Sequence, residues 1–133
     1  MKFIIQTLPT IRATDEERKA LRPIGRNGES YQRMLDEVVE LAQVAEDAGF
    51  WGLSTTEHHF HSEGMEMSVD SAMLALYIAQ HTKRLMVGPI GYVLPTWDPI
   101  RLAEQTAMVD QMTKGRHLVG MARGYQHRWG NVL

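Results

Sequence analysis

Gly49-Phe50-Trp51-Gly52-Leu53-Ser54-Thr55-Thr56, followed at once by Glu57-His58-His59-Phe60-His61, decides the fold. A helical pattern runs into this stretch. Met34, Leu35, Val38, Leu41, Ala42, Ala45 and Ala48 recur at the spacing of one helix face behind a cap at Ser30, and Gly49 is a good C-cap. Trp51 to Thr56 is short and ends in β-branched residues, which reads as a strand. A helix, a glycine and a strand with titratable side chains at its carboxyl end make one unit of a parallel sheet. In such sheets ligands sit beyond the carboxyl ends of the strands.

The pattern repeats outward in both directions. Met1 to Leu8 carries Phe3, Ile4 and Ile5 and reads as a strand ended by Pro9, and residues 10–29 read as a polar loop with one helical turn at 14–21. Downstream, a helix from Ser68 to His81 puts Ala72, Ala75, Leu76 and Ala79 on one face. Arg84 to Val93 reads as a strand holding two glycines and a proline. Asp98-Pro99 opens a helix that ends at Gly115, with an acidic cap and proline at the first helical position. His117 to Ala122 is a fourth strand, with Arg123-Gly124 just past its end. Strands starting near residues 3, 51, 85 and 117 predict βαβ units and an α/β fold with a parallel sheet. Right-handed crossovers leave a doubly wound sheet or a (β/α) barrel, and the spacing does not separate them. An eight-unit barrel takes roughly 250 residues. The 133 residues supply four units, read as one domain over 1–133.

Composition narrows the function. The chain is 44% hydrophobic and 23% charged, as folded soluble proteins are, and its formal charge of −2 lacks the basic bias of a general nucleic-acid binder. Without cysteine it has no disulfide, thiolate nucleophile or Cys-ligated metal. No apolar run approaches the roughly 18 residues of a membrane span, and Met1 to Gln6 is too short for a signal peptide. A cytoplasmic protein with a small-molecule or protein partner is expected, with no nucleic-acid or membrane partner. There is no G-x-S-x-G elbow, Walker loop or G-x-G-x-x-G, which argues against the corresponding hydrolase and nucleotide-binding chemistries.

The densest chemistry is Glu57-His58-His59-Phe60-His61. Adjacent residues of an extended chain point to opposite sides, so one of His58 and His59 faces the site and the other packs on the scaffold. An imidazole near neutral pH serves as acid, base or hydrogen-bond donor, and a carboxylate beside it orients it. The plain alternative is a solvated histidine loop. A metal held by His58, His59 and His61 lacks a carboxylate at a familiar spacing, so no metal site is assigned. Arg123 is placed to fork onto a phosphate, with Gly124 permitting close approach; the alternative is a surface salt bridge. Gly91 leaves room for a flat aromatic ring to stack on the third strand. Arg101 is read as structural, pairing with Glu104 or Asp98. Met73, Met108 and Met112 are read as core.

Taken together, four motifs resemble the bacterial luciferase-like, flavin-dependent monooxygenases. They are Gly49-Phe50-Trp51 leading into Glu57-His58-His59-Phe60; Val93-Leu94-Pro95-Thr96 running into Asp98-Pro99-Ile100-Arg101-Leu102-Ala103-Glu104; Asp110-Gln111-Met112-Thr113-Lys114-Gly115-Arg116; and Gly120-Met121-Ala122-Arg123-Gly124. They fall in the family's order over most of residues 31–125, and residues 10–29 match least. The resemblance implies a (β/α) TIM-type barrel of which 1–133 would be the N-terminal half. It implies reduced FMN from a separate flavin reductase (a deazaflavin in some branches), O2 and a small organic substrate. By the same resemblance His58 is the catalytic histidine, Glu57 supports the pocket and Arg123 contacts the flavin phosphate. Ile90-Gly91 stands where the family often carries a non-prolyl cis peptide against the flavin. Ala122 stands where luciferases carry a cysteine, which points to a general monooxygenase. A deazaflavin-dependent dehydrogenase or reductase of the same fold, or a non-catalytic half-barrel that binds flavin or a partner, is the alternative. Four parallel strands do not close a barrel. The chain is therefore expected to be a fragment, or to pair with a complementary half-barrel or its own copy.

Overall fold

A computed structural model describes the chain over residues 1–133 other than Arg128 and Gly130. Strands Ile4–Gln6 (β1), Gly52–Thr55 (β2) and Met86–Pro89 (β3) pair in parallel in that order, with Ile4 opposite Gly52 and Leu53 opposite Val87. Beyond β3 the chain turns and continues as Tyr92–Val93 (β4), which pairs in parallel with Met121–Ala122 (β5). The segment before β5 already runs beside β3: Val87 N–H donates to the Arg116 carbonyl, Leu118 N–H to Val87 and Gly120 N–H to Pro89. Spatial order thus follows chain order, without the reversal found in doubly wound sheets.

The strand expected over 84–93 is therefore two strands. Up to Ile90 the stretch bonds both neighbours, with Ile90 N–H donating to Thr55 on β2 and Pro89 accepting from Gly120 N–H; past the cis peptide Ile90–Gly91 the ladder continues towards β5, Tyr92 N–H donating to Gly120. A Cβ at Gly91 would lie 2.6 Å from the backbone of Gly120 and Met121. The missing side chain thus serves close approach of two strands rather than an open face for a ring.

Helices Asp15–Ala20 (α1), Gly28–Asp47 (α2), Ser71–Gln80 (α3), Pro99–Met112 (α4) and His127–Val132 (α5) fill the connections. Two helix starts differ from expectation. Asn27, not Ser30, caps α2, because its extended backbone lets the side chain accept from Ser30 N–H. α3 starts at Ser71 rather than Ser68, capped by Asp70, which accepts from Met73 N–H. The turn at 14–21 is α1, closed by a Thr14–Glu17 capping box, and Asp98 with Pro99 starts α4 as expected.

The main core lies between the sheet and the inner faces of α2 and α3, and includes Met34, Val38, Leu53, Ile78 and Val87. Tyr92, Ala72, Leu102 and Val109 form a second cluster under α4. Met73, Met108 and Met112 belong to neither and are 67%, 64% and 56% exposed, contrary to the sequence reading. α4 packs through Leu102 and Val109, which turns Met108 and Met112 outward. Arg101 does pair with Glu104, at 2.8 Å on the surface. Residues 10–29 are more than a polar loop: Ile11 and Ile24 are buried in the main core. Among the described residues, no helix is long and apolar enough to cross a membrane.

Candidate functional site

The loop after β2 owes its shape to three left-handed turns, at Phe60 (φ 64°), Gly64 (φ 83°) and Glu66 (φ 51°). Non-glycine residues rarely adopt this conformation without support from their surroundings. Here the support is hydrogen bonding. Ile11 N–H donates to Gly64, Gly25 N–H to Ser62 and Met67 N–H to Pro9. The Arg18 guanidinium reaches the carbonyls of Glu63 and Ile11, at 2.8 and 2.7 Å. The insert at 10–29 is thus the mould in which the histidine loop sits.

That fold-back gives the two adjacent histidines different partners. His58 Nδ1 bonds the Glu66 carboxylate, eight residues on. This assigns the proton to Nδ1 and leaves Nε2 as the ring's remaining nitrogen. His59 turns the other way and binds Glu57 through Nε2 at 2.9 Å. Glu57 is therefore not the carboxylate that orients His58. It is buried and ties β2 to the turn after β4, accepting from Val93 N–H at 3.1 Å, Thr96 Oγ1 at 3.1 Å and Trp97 Nε1 at 2.9 Å. A carboxylate satisfied by several donors holds its surroundings rigid.

His58, Glu57, Ile90, Gly91, Arg123 and Gly124 all line one cavity of about 250 Å³ at the carboxyl ends of the strands. A second cavity, of about 470 Å³, shares Arg123, Gly124, Tyr125 and Trp129 with the first. Arg123 is exposed where the two meet and makes no ion pair among the described residues. Gly124 has φ 71°, and a Cβ there would strike Val93 Cγ1 at 2.7 Å. Sequence reasoning missed Glu66, Tyr125 and Trp129. The Trp129 ring centroid lies 5.1 Å from that of His58, and its Nε1 donates to the His59 carbonyl at 3.1 Å. Tyr125 stands edge-on to His58 with centroids 5.8 Å apart. No spacing rule links these residues to position 58; the loop and α5 bring them together.

The local chemistry is a ring nitrogen fixed by a carboxylate, an unpaired guanidinium and aromatic walls. Comparison with known proteins gives these features a family. The luciferase-like monooxygenase family model matches residues 1–128. The alkanal monooxygenase alpha chain of Photobacterium leiognathi is 38% identical over 101 residues, covering 76% of this chain and 28% of that relative. The oxygenase component of the flavin-dependent trigonelline monooxygenase of Acinetobacter baylyi is 32% identical over 96 residues, covering 72% of this chain and 26% of that relative. Among solved structures, monooxygenase RslO1 from Streptomyces bottropensis superposes with a TM-score of 0.75 at 27% identity, over 96% of this chain and 35% of that one. The oxygenating constituent of 3,6-diketocamphane monooxygenase from Pseudomonas putida, solved with FMN, gives 0.75 at 20% identity and supports the fold alone; it is covered over 32% of its length and this chain over 98%. The chain therefore spans between a quarter and about a third of the relatives it matches. Its motifs, its parallel α/β fold and the family match agree: this chain belongs to the luciferase-like monooxygenase family.

Proposed function

We propose that these residues are the flavin-binding N-terminal half of a (β/α) barrel, a half-barrel of four units. The complete enzyme would use reduced FMN, supplied by a separate reductase, and O2 to oxidise a small organic substrate. The observation that carries this reading is convergence. Six residues from the segments that follow β2, β3 and β5 line one cavity, with an arginine at its mouth that pairs with no carboxylate among the described residues. The residues fit FMN. The Arg123 guanidinium suits a phosphate tail, Gly124 lets the backbone approach it, and Ile90 and Gly91 line the cavity beside His58. The related oxygenase component from Acinetobacter baylyi is flavin-dependent by name, and a fold neighbour was solved with FMN.

When bound, reduced FMN supplies the electrons that activate O2. The chain's own residues do the rest. Arg123 anchors the cofactor by charge-assisted hydrogen bonds. Glu66 fixes His58 through Nδ1 and leaves Nε2 to exchange a proton with the reacting centre. Trp129 and Tyr125 crowd water from that ring. The open edges at β1 and β5, with Phe3, Val119 and Met121 exposed, would be covered by further βα units or by a second copy.

Titration with FMN, read by quenching of flavin fluorescence, tests the reading. Saturable binding is expected, weakened about 10- to 100-fold by Arg123→Ala, the cost of losing hydrogen bonds to a charged group. Binding that ignores the substitution would remove Arg123 from the site. His58→Ala should keep FMN binding and lose substrate oxidation.

A further inference from the structure

The histidine loop holds a donor set of which the flavin reading uses His58 and Glu66 and leaves His61 without a role. We propose that His58, His61 and Glu66 form a binding site for a divalent transition-metal ion of the zinc class, with Glu63 in reach as a fourth ligand. One ligand atom from each of the three residues lies within 4.8 Å of those of the others. His61 Nδ1 stands 3.5 Å from Glu66 Oε2 and 3.5 Å from Glu63 Oε1. Tetrahedral zinc, with bonds of about 2.0–2.1 Å, sets its ligands roughly 3.3 Å apart, so small side-chain rotations bring the set onto one ion.

The second observation is His61 itself. Its side chain is 7% exposed, and Nδ1 is enclosed with no hydrogen-bond partner. The two carboxylate oxygens at 3.5 Å face it as ion-pair neighbours without forming a hydrogen bond. A buried ring nitrogen without a partner is costly unless something occupies the space it faces. Between a ring nitrogen and two carboxylates, a cation satisfies every group at once.

The donor chemistry selects the ion. Two imidazoles with carboxylate oxygen suit zinc, cobalt or ferrous iron, whereas magnesium and calcium take oxygen alone. The site is also preformed. The left-handed turn at Phe60 sets the His58 and His61 rings side by side, with centroids 5.4 Å apart, and the one at Glu66 returns the carboxylate. The insert's hydrogen bonds to Ser62, Glu63 and Gly64 hold the whole loop. The inference is independent of flavin binding. The two meet at one atom: an ion on His58 Nδ1 takes that nitrogen from Glu66, so occupancy competes with the proton-relay role of the ring.

The experiment is competition for Zn2+ between the purified full chain and a chromogenic chelator, with no flavin present. One equivalent should bind per chain. His61→Ala and Glu66→Gln should each weaken binding at least about tenfold, no less than loss of an outer-shell partner costs. His81→Ala, an exposed histidine elsewhere, should leave it unchanged. Co2+ should give the visible bands of a nitrogen- and oxygen-ligated ion in the wild-type chain, a measurement that needs no variant to fold. Absence of Co2+ bands, or Zn2+ affinity indifferent to Glu66→Gln in a variant with native circular dichroism, overturns the proposal. Binding lost with His81→Ala instead marks surface histidines and overturns it equally.

Discussion

Replacing Glu57 with alanine should cost this chain about 3–5 kcal/mol. The figure follows from the donors the carboxylate serves. Val93 N–H, the Trp97 indole and His59 Nε2 would each lose an acceptor. Thr96 Oγ1 would not, because it also donates to the Val93 carbonyl at 2.8 Å. Each buried donor left unsatisfied costs about 1–3 kcal/mol. Water entering the space of the lost side chain recovers part of that, which sets the upper end. Against a total stability of about 5–15 kcal/mol this is a large fraction. For a chain of this size it lowers the melting midpoint by roughly 10–20 °C. Glu57→Gln keeps the volume and one acceptor oxygen but points an NH2 group at other donors, so an intermediate cost is expected. Urea and thermal unfolding followed by far-ultraviolet circular dichroism measure both. A loss below about 1 kcal/mol for the alanine variant would show that the turn after β4 does not depend on this carboxylate and would refute its role in tying that turn to β2.

Two further outcomes concern pH. Burial holds His117 below the usual imidazole range, against the opposing pull of its hydrogen bond to the Val87 carbonyl and of Asp110. The unfolded chain then binds the proton more readily. Stability should be fully present above about pH 6.5 and fall as pH drops from there towards the folded value. His117→Gln should flatten that part of a stability–pH curve, and an unchanged slope would point to another group. For Glu46, partial burial raises the carboxyl's pKa, but backbone N–H donors from Arg84, Lys83 and Leu85, with the Arg84 charge, outweigh it and lower the net value. That contribution is present above about pH 4.5 and is lost as pH falls through the folded value. Glu46→Gln should therefore narrow the stability difference between pH 6 and acid, as read by urea midpoints, by roughly 1 kcal/mol or less for a group that remains partly open to solvent.

Much of the fold was written in local pattern. The face from Met34 to Ala45 and the Asp98-Pro99 start needed no tertiary knowledge, because a 3.6-residue period and a cap are local facts. Residues that failed did so for non-local reasons. Ser30 and Asn27 are both capping types, and only the extended backbone at 27 chose between them. Met108 and Met112 are apolar and helical, yet nothing local says that the helix rests on Leu102 and Val109 instead. The break at Ile90–Gly91 lies where pairing with β2 ends and pairing with β5 goes on, which only the neighbouring strands define. At the site, His58, Arg123 and Gly124 were visible through the family motifs. Glu66 was not, since its place beside His58 is set by left-handed turns and by residues 10–29 from the other end of the chain.

That last dependence bears on how the site could be moved or redesigned. Residues 57–67 look like an excisable cassette, a strand end followed by a self-contained loop. Their conformation, however, is stored in Pro9, Ile11, Arg18 and Gly25, which supply bonds from outside it. Transplanting the loop alone onto another parallel sheet would carry the histidines without their arrangement. The smallest portable unit is two discontinuous segments inherited together, so a substitution at Arg18 or Gly25 can shift the arrangement around His58 without touching it.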